Sequence, residues 1–151
     1  MYAQSERPAS SYSLFSRAVQ YALSAGVNNR ALSEGSASLG IGSSSSARGA
    51  FASGVFANAA AEGASSLGGG TDATGVLSAA LGTYTRASGV SSMATNVGSE
   101  ATSDASFAAN LLTKASGIAS SSFGRQTVAS GDYANAFGER SVATGRSSMV
   151  S

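Results

Sequence analysis

The chain has 151 residues, of which 42% are hydrophobic and 11% are charged, and its net charge is +1. It contains no cysteine and no histidine, which excludes thiolate nucleophiles, imidazole bases and the common transition-metal sites, so we expect no cofactor and no enzymatic activity. The near-neutral charge predicts no nucleic-acid binding, and the lack of an apolar run of about 18 residues predicts no membrane insertion.

The chain divides into a short N-terminal segment and a long repeat array. Residues 1–14 show no clear period, and we expect a cap or tail there. From 15 to 151 the sequence repeats every 14 residues, and the segment Ala22-Leu-Ser-Ala-Gly26 marks an imperfect first coil at 15–28. Full copies follow at 29–42, 43–56, 57–70, 71–84, 85–98, 99–112, 113–126 and 127–140, with a partial copy at 141–151. Because the array stops within a copy, we expect a piece of a longer protein.

Small residues and glycines fall at fixed positions of the repeat. Positions 8 and 10 contain only Ala and Ser, which predicts a strand lining a narrow interior, and Ala dominates a second short strand at position 3. Position 12 holds Gly or Asn, the residues that most easily adopt left-handed backbone conformations. We predict a turn at Gly40, Gly54, Gly68, Gly82, Asn96, Asn110, Gly124 and Gly138. A second glycine, at position 5 from residue 71 onward, is displaced to Gly35, Gly49 and Gly63 in the first full copies, which predicts a different turn there.

A 14-residue repeat is too short for a helix pair and suits two strands per coil, stacked in parallel as an all-β solenoid. Stacking places equivalent residues about 4.8 Å apart, so like charges in consecutive copies would repel. Consecutive charged residues within a column indeed alternate in sign. The longest stacking ladder is Asp72, Arg86, Glu100 and Lys114.

Large apolar residues occupy positions 9 and 11, on the strand face opposite the Ala and Ser columns. They are Leu39, Phe51, Leu67, Leu81, Met93, Phe107, Phe123 and Phe137. A two-strand coil cannot bury both faces, so we expect identical chains to cover this row around an axis parallel to the solenoid. A flat dimer and a cover supplied by another part of the parent protein are the alternatives.

The units Ser141-Val-Ala-Thr-Gly145, Ser78-Ala-Ala-Leu-Gly82 and Ala134-Asn-Ala-Phe-Gly138 resemble the Ser-Val-Ala-Ile-Gly signature of YadA-like heads in trimeric autotransporter adhesins. The resemblance covers about 22–151, although Ser, Thr and Ala often replace the usual Val and Ile. It implies a left-handed parallel β-roll, a homotrimer and a place on the surface of a Gram-negative bacterium. It also implies non-catalytic attachment to host extracellular-matrix proteins or cell-surface receptors. The neck, stalk and membrane anchor of such proteins would lie beyond Ser151.

Three other functions are compatible with a solenoid. A structural spacer would present another domain. An ice-binding face is suggested by Thr71, Thr85, Thr113 and Thr127 at position 1, and a β-helix enzyme would need a carboxylate pair such as Glu100 and Asp104. For adhesion, the ligand-binding residues are unknown, and we favour the outward columns at positions 2, 6, 13 and 14, which hold every charge after residue 28.

Overall fold

The computed structural model describes residues 4–5, 10–12, 14–19 and 21–151. Within this part of the chain every regular element is a β-strand, and the strands form two parallel sheets of 11 strands each. The narrow sheet consists of Gln4–Ser5, Arg17–Ala18, Arg30–Ala31, Ser44–Ser45, Asn58–Ala59, Asp72–Ala73, Arg86–Ala87, Glu100–Ala101, Lys114–Ala115, Val128–Ala129 and Val142–Ala143. The wide sheet consists of Ser10–Tyr12, Leu23–Val27, Ala37–Ile41, Phe51–Val55, Ser65–Gly69, Ala79–Thr83, Met93–Val97, Phe107–Leu111, Ser121–Arg125, Asn135–Glu139 and Met149–Val150.

Each strand pairs with the equivalent strand of the next coil, which confirms the predicted β-solenoid and its register. Gly54, for example, pairs with Gly68, and Gly68 pairs with Gly82. The spacing between equivalents is 14 residues through most of the array. Equivalent positions of the repeat therefore lie one above another along the stack. The left-handed winding implied by the resemblance stays a prediction.

The first coils are one residue shorter than the periodic sequence suggests. Arg17 pairs with Arg30, and the backbone N–H of Asn29 donates to Ser16 Oγ at 3.3 Å, a separation of 13 residues. Ser16, and not Phe15, thus takes the first position of the coil expected at 15–28. The cap or tail expected at 1–14 lies partly outside the described residues, and its strands Gln4–Ser5 and Ser10–Tyr12 extend the two sheets.

The interior is lined by four columns of small side chains, at positions 1, 3, 8 and 10. They are almost all Ala, Ser and Thr, and Asn29 is the largest fully buried side chain. Position 1 was not expected in the core. Its four threonines, which suggested an ice-binding face, are at most 1% exposed. Their hydroxyls therefore do not reach the surface, and that interpretation is wrong.

Backbone carbonyls satisfy many of the buried side-chain polar groups. Ser66 Oγ donates to the carbonyl of Thr71 at 2.9 Å. Asn29 Nδ2 donates to the carbonyls of Ala25 and Gly40 at 2.6 and 2.7 Å, and Asn29 Oδ1 accepts from the N–H of Ser43 at 2.9 Å. Because an unpaired buried polar group is costly, such bonds allow Ser, Thr and Asn to replace Ala inside the roll.

Three residues of each full coil have positive φ, at positions 7, 12 and 14. The glycines and asparagines of position 12 do so, but they lie inside the wide-sheet strands and not in turns, which corrects the prediction. The turns are at positions 7 and 14. Gly49 and Leu77, both at position 7, have φ of 66° and 57°, so the first full copies use the same turn as the later ones and the expected difference is absent at this position.

Candidate binding surface

The outer face of the wide sheet carries the eight large apolar residues predicted at positions 9 and 11. We call this set the wide-sheet face: Leu39, Phe51, Leu67, Leu81, Met93, Phe107, Phe123 and Phe137. Strand alternation directs them away from the buried columns at positions 8 and 10. None is fully buried in the single chain, and Met93 and Phe137 are exposed. Part of each side chain is therefore available for contact.

Aromatic contacts join the two columns into one stripe. The rings of Phe107 and Phe123 meet edge to face, with centroids 4.9 Å apart. The rings of Phe123 and Phe137 stack with centroids 5.5 Å apart and an interplanar angle of 5°. Since Phe107 is at position 9 and Phe123 is at position 11 of the next coil, the stripe is continuous across columns and along the stack.

The charged ladder lies on the outer side of the narrow sheet. Asp72, Arg86, Glu100 and Lys114 occupy consecutive paired strands. Lys114 Nζ lies 3.5 Å from Glu100 Oε2, and Asp72 Oδ1 accepts a hydrogen bond from Asn58 Nδ2 at 2.7 Å. Each charge therefore has an opposite charge on a neighbouring strand.

Ion pairs also follow the two edges of the roll, which we define by the turns. The first edge comprises positions 6 and 7, and the second edge comprises positions 13 and 14. Arg48 pairs with Glu62 on the first edge, and Arg125 Nη1 lies 3.0 Å from Glu139 Oε1 on the second. The hydrogen bond to Glu62 and the charge of that carboxylate, together with the charge of Glu34, raise the pKa of Arg48. All four partners of the two pairs are solvent-exposed, so these pairs contribute little stability each.

The two acids considered for catalysis each interact with a residue of a neighbouring coil. Glu100 pairs with Lys114, whereas Asp104 Oδ1 accepts from the backbone N–H of Val90 at 2.9 Å. Asp132 repeats the Asp104 contact with the N–H of Ile118 at 3.0 Å. The two aspartates at position 6 thus each accept a hydrogen bond from a backbone N–H of the preceding coil. Among the described residues, no group of three or more acids, histidines or cysteines is placed to hold a metal ion.

Position 12 is the point where consecutive coils approach most closely. Gly54 has φ of +137°, and a Cβ on it would lie 2.0 Å from the carbonyl oxygen of Gly68. Asn96 and Asn110 occupy the same position at φ of 79° and 95°, and Asn96 Nδ2 donates to Asn110 Oδ1 at 2.8 Å. The amide pair forms a short exposed ladder next to the wide-sheet face.

The sequence interpretation missed the apolar character of the second edge. Val55, Phe56, Tyr84, Leu111 and Leu112 are exposed there. The signal is present at position 14, where Gly42, Gly70 and Gly98 alternate with Phe56, Tyr84 and Leu112. This apolar pattern is not obvious in the sequence, because every second residue at position 14 is glycine as far as Leu112.

No helix among the described residues is long and apolar enough to cross a membrane. No curated protein matches the chain. The family described as the YadA head domain repeat (2 copies) matches residues 73–95, 115–134 and 124–148. All three stretches follow residue 71, where the second glycine moves to position 5. Each stretch combines strands of both sheets with the outward columns described above. Residues 73–95 and 115–148 are therefore similar to the YadA head domain repeat.

Proposed function

We propose that this chain is the adhesive head of a bacterial surface fibre and that it attaches, as a homotrimer, to host extracellular-matrix proteins or cell-surface receptors without catalysis. The match of the YadA head repeat over both sheets of the solenoid carries this proposal. In this proposal the chain belongs to the extracellular passenger region at the outer membrane of a Gram-negative bacterium. The wide-sheet face supports the trimer, because a row of exposed apolar side chains is costly unless another chain covers it.

The binding contacts are distributed over the outward charged columns. These columns run along a rigid stack, so within the ladder from Asp72 to Lys114 a ligand meets charges of alternating sign at intervals of about 4.8 Å. Each contact of this kind is weak when exposed to solvent. A trimer presents three such surfaces together, and simultaneous engagement raises the overall affinity without any new contact.

The test is the binding of the purified, assembled head to immobilised matrix proteins (collagen, fibronectin and laminin) and to cultured mammalian cells. We expect saturable binding that weakens at high salt and that falls strongly for Phe123→Asp, because loss of assembly removes avidity. Ala60→Asp, at an exposed position that lies on neither edge and in none of the charged columns, is the matched control and should bind as the unsubstituted chain does. An assembled head that binds none of these surfaces would favour the spacer function instead.

A further inference from the structure

Two coils near the N-terminal end of the narrow sheet break the alternation of charge. Arg17 and Arg30 are exposed and are partners on adjacent strands, which lie about 4.8 Å apart. The residues that pair with them on the two sides, Gln4 and Ser44, are uncharged. This end of the column therefore carries two like charges, which repel each other when no anion lies between them.

Among the described residues, no carboxylate lies within ion-pair distance of either guanidinium. The next acid along the column is Asp72, three strands beyond Arg30 and thus about 14 Å away, whereas the screening length in physiological salt is about 8 Å. Glu34 lies on the first edge, where Arg48 is its neighbour in the position-6 column. Residues 14–59 hold three arginines and one glutamate and so carry a net charge of +2, whereas the rest of the described chain holds five bases and six acids.

The arginine pair lies on the side of the roll opposite the wide-sheet face. The buried columns of small residues separate the two sheets, so another chain that covers the wide-sheet face leaves this side open to solvent. Leu32, two residues after Arg30, is half-buried and is the only large apolar residue at position 4 of the full copies, where the others are Ala, Ser or Thr. The pair therefore has an apolar neighbour that the ladder from Asp72 to Lys114 lacks.

The chemistry of two adjacent guanidinium groups selects the kind of anion. Each group is planar, stays charged and donates two parallel N–H bonds to an oxyanion. A carboxylate has only two oxygens, and one such fork occupies both of them. A tetrahedral sulfate or phosphate group has enough oxygens to accept both forks at once. When that group is attached to a sugar, the C–H face of the sugar ring can also pack against Leu32.

We infer that Arg17 and Arg30 bind a sulfate group of a sulfated polysaccharide, with Leu32 against the sugar ring. The inference rests on the proposed function, which supplies the extracellular setting, and it adds the class of ligand and the residues that hold it. Sulfate is favoured over phosphate because extracellular matrices are rich in sulfated polysaccharides. In a homotrimer the site is present three times, so a long polysaccharide that reaches more than one copy binds with avidity.

The test measures binding of the whole chain to immobilised heparin, with hyaluronan, which has carboxylates but no sulfates, as the comparison. Arg17→Gln with Arg30→Gln removes both guanidinium groups. Ala60→Asp with Ser130→Asp is the matched control, because it lowers the net charge by the same amount at two exposed positions of the same sheet face. Circular dichroism and light-scattering mass verify that both double variants keep the β structure and the assembly of the unsubstituted chain.

We expect the arginine double variant to bind heparin at least about tenfold more weakly and the aspartate double variant to stay within about threefold of the unsubstituted chain, because only the first loses charge-assisted hydrogen bonds. Hyaluronan should bind weakly to all three. A second measurement uses inorganic sulfate alone. Sodium sulfate, compared with sodium chloride at equal ionic strength, should raise the melting temperature of the unsubstituted chain more than that of the arginine double variant.

Equal losses in the two double variants, an arginine double variant that binds heparin normally, or equal binding of hyaluronan overturns the inference. Arginine-dependent binding of phosphatidic-acid vesicles as tight as that of heparin also overturns it, because the site would then not select a sulfated polysaccharide. Attachment to matrix proteins or cells without heparin binding overturns the inference and leaves the proposed function in place. Arginine-dependent heparin binding by a head that attaches to neither supports the inference and rejects only the adhesive function.

Discussion

At the scale of single residues, the left-handed positions of the coil differ in the space around them. Gly54 at position 12 lies against the backbone of the next coil, whereas Gly49 at position 7 faces open space, with no atom within 4 Å of an added Cβ. The same backbone region is therefore restricted to small residues at one position and open to many residue types at the other.

Replacement of Gly54 by Ala should lower the free energy of unfolding by more than about 2 kcal/mol. The left-handed conformation alone costs an L-residue about 1–2 kcal/mol, and the new Cβ would overlap the carbonyl oxygen of Gly68. Urea unfolding followed by circular dichroism at one fixed chain concentration measures the change.

The matched control for this prediction is Gly49→Ala. Ala105 and Ala119 already occupy position 7 in other coils with φ of 55° and 52°. We expect a smaller loss of about 1–2 kcal/mol, because only the intrinsic preference for glycine at positive φ is lost. Equal losses at the two sites would contradict the argument that close approach of the coils, and not φ alone, selects glycine at position 12.

At the scale of the strands, parallel in-register pairing places the charged residues of each outward column next to one another along the stack. Asp72, Arg86, Glu100 and Lys114 are neighbours on the narrow sheet although each is 14 residues from the next. The sign of each residue in this ladder is therefore constrained by the residues one coil above and below, whereas Arg17 and Arg30 pair as like charges near the N-terminal end of the narrow sheet.

Arg86→Glu should destabilise the chain by up to about 1 kcal/mol, because it places three acids in a row on exposed strands. Arg86→Gln is the control, since it removes the attraction without adding a repulsion, and it should cost less. The difference between the two variants in thermal unfolding should shrink at about 1 M salt, where the screening length falls to about 3 Å. A Glu variant as stable as the Gln variant would show that the charges do not interact.

The sequence predicted the sheets well because their register depends on columns that only small residues can fill. Ala or Ser at positions 3, 8 and 10 and Gly or Asn at position 12 repeat without insertions through the full copies from residue 29 onward, so the stacking follows from the period. Threonine at position 1 misled the prediction because its hydroxyl can be satisfied inside the roll, as Thr71 Oγ1 is by Ser66 Oγ at 2.7 Å. A column of threonines reads the same in the sequence whether its hydroxyls are hydrogen-bonded inside the roll or exposed on its surface.

The turns and edges were harder to predict. Leu77 adopts the same left-handed turn as Gly49, with its N–H donating to the carbonyl of Glu62 on the preceding coil, so tertiary pairing overrides the local preference. The missing residue of the first coil lies between Ala18 and Leu23, in a turn whose residue types do not fix its length. Phe56 and Tyr84 were overlooked because a glycine separates them along their column.

At the scale of the whole molecule, one chain buries almost no large side chain among its described residues. The core clusters consist of Ala, and the large apolar residues lie on the outside. A buried methylene contributes only about 0.8 kcal/mol, so an Ala core is a modest source of stability. We expect association with other copies to supply further apolar burial.

Phe123→Asp should dissociate the assembly, because Phe123 contacts both Phe107 and Phe137 at the centre of the stripe and a carboxylate there would be desolvated by a neighbouring chain. Light scattering should give the mass of a single chain, and the β signal in circular dichroism should persist. Ala60→Asp introduces the same charge at an exposed position that lies on neither edge and should leave the mass unchanged. A Phe123→Asp chain that remains fully assembled would place the interface elsewhere.

The uniform coil also has a genetic consequence. Tandem duplication of fourteen codons would add one complete coil and lengthen the head by about 4.8 Å, with every interior contact reproduced. Such a duplication of the coil that carries Arg86, however, would stack two arginines directly, whereas duplication of that coil together with the one carrying Asp72 preserves the alternation. Recombination that changes the reach of this head is therefore expected to favour steps of two coils within the charged segment.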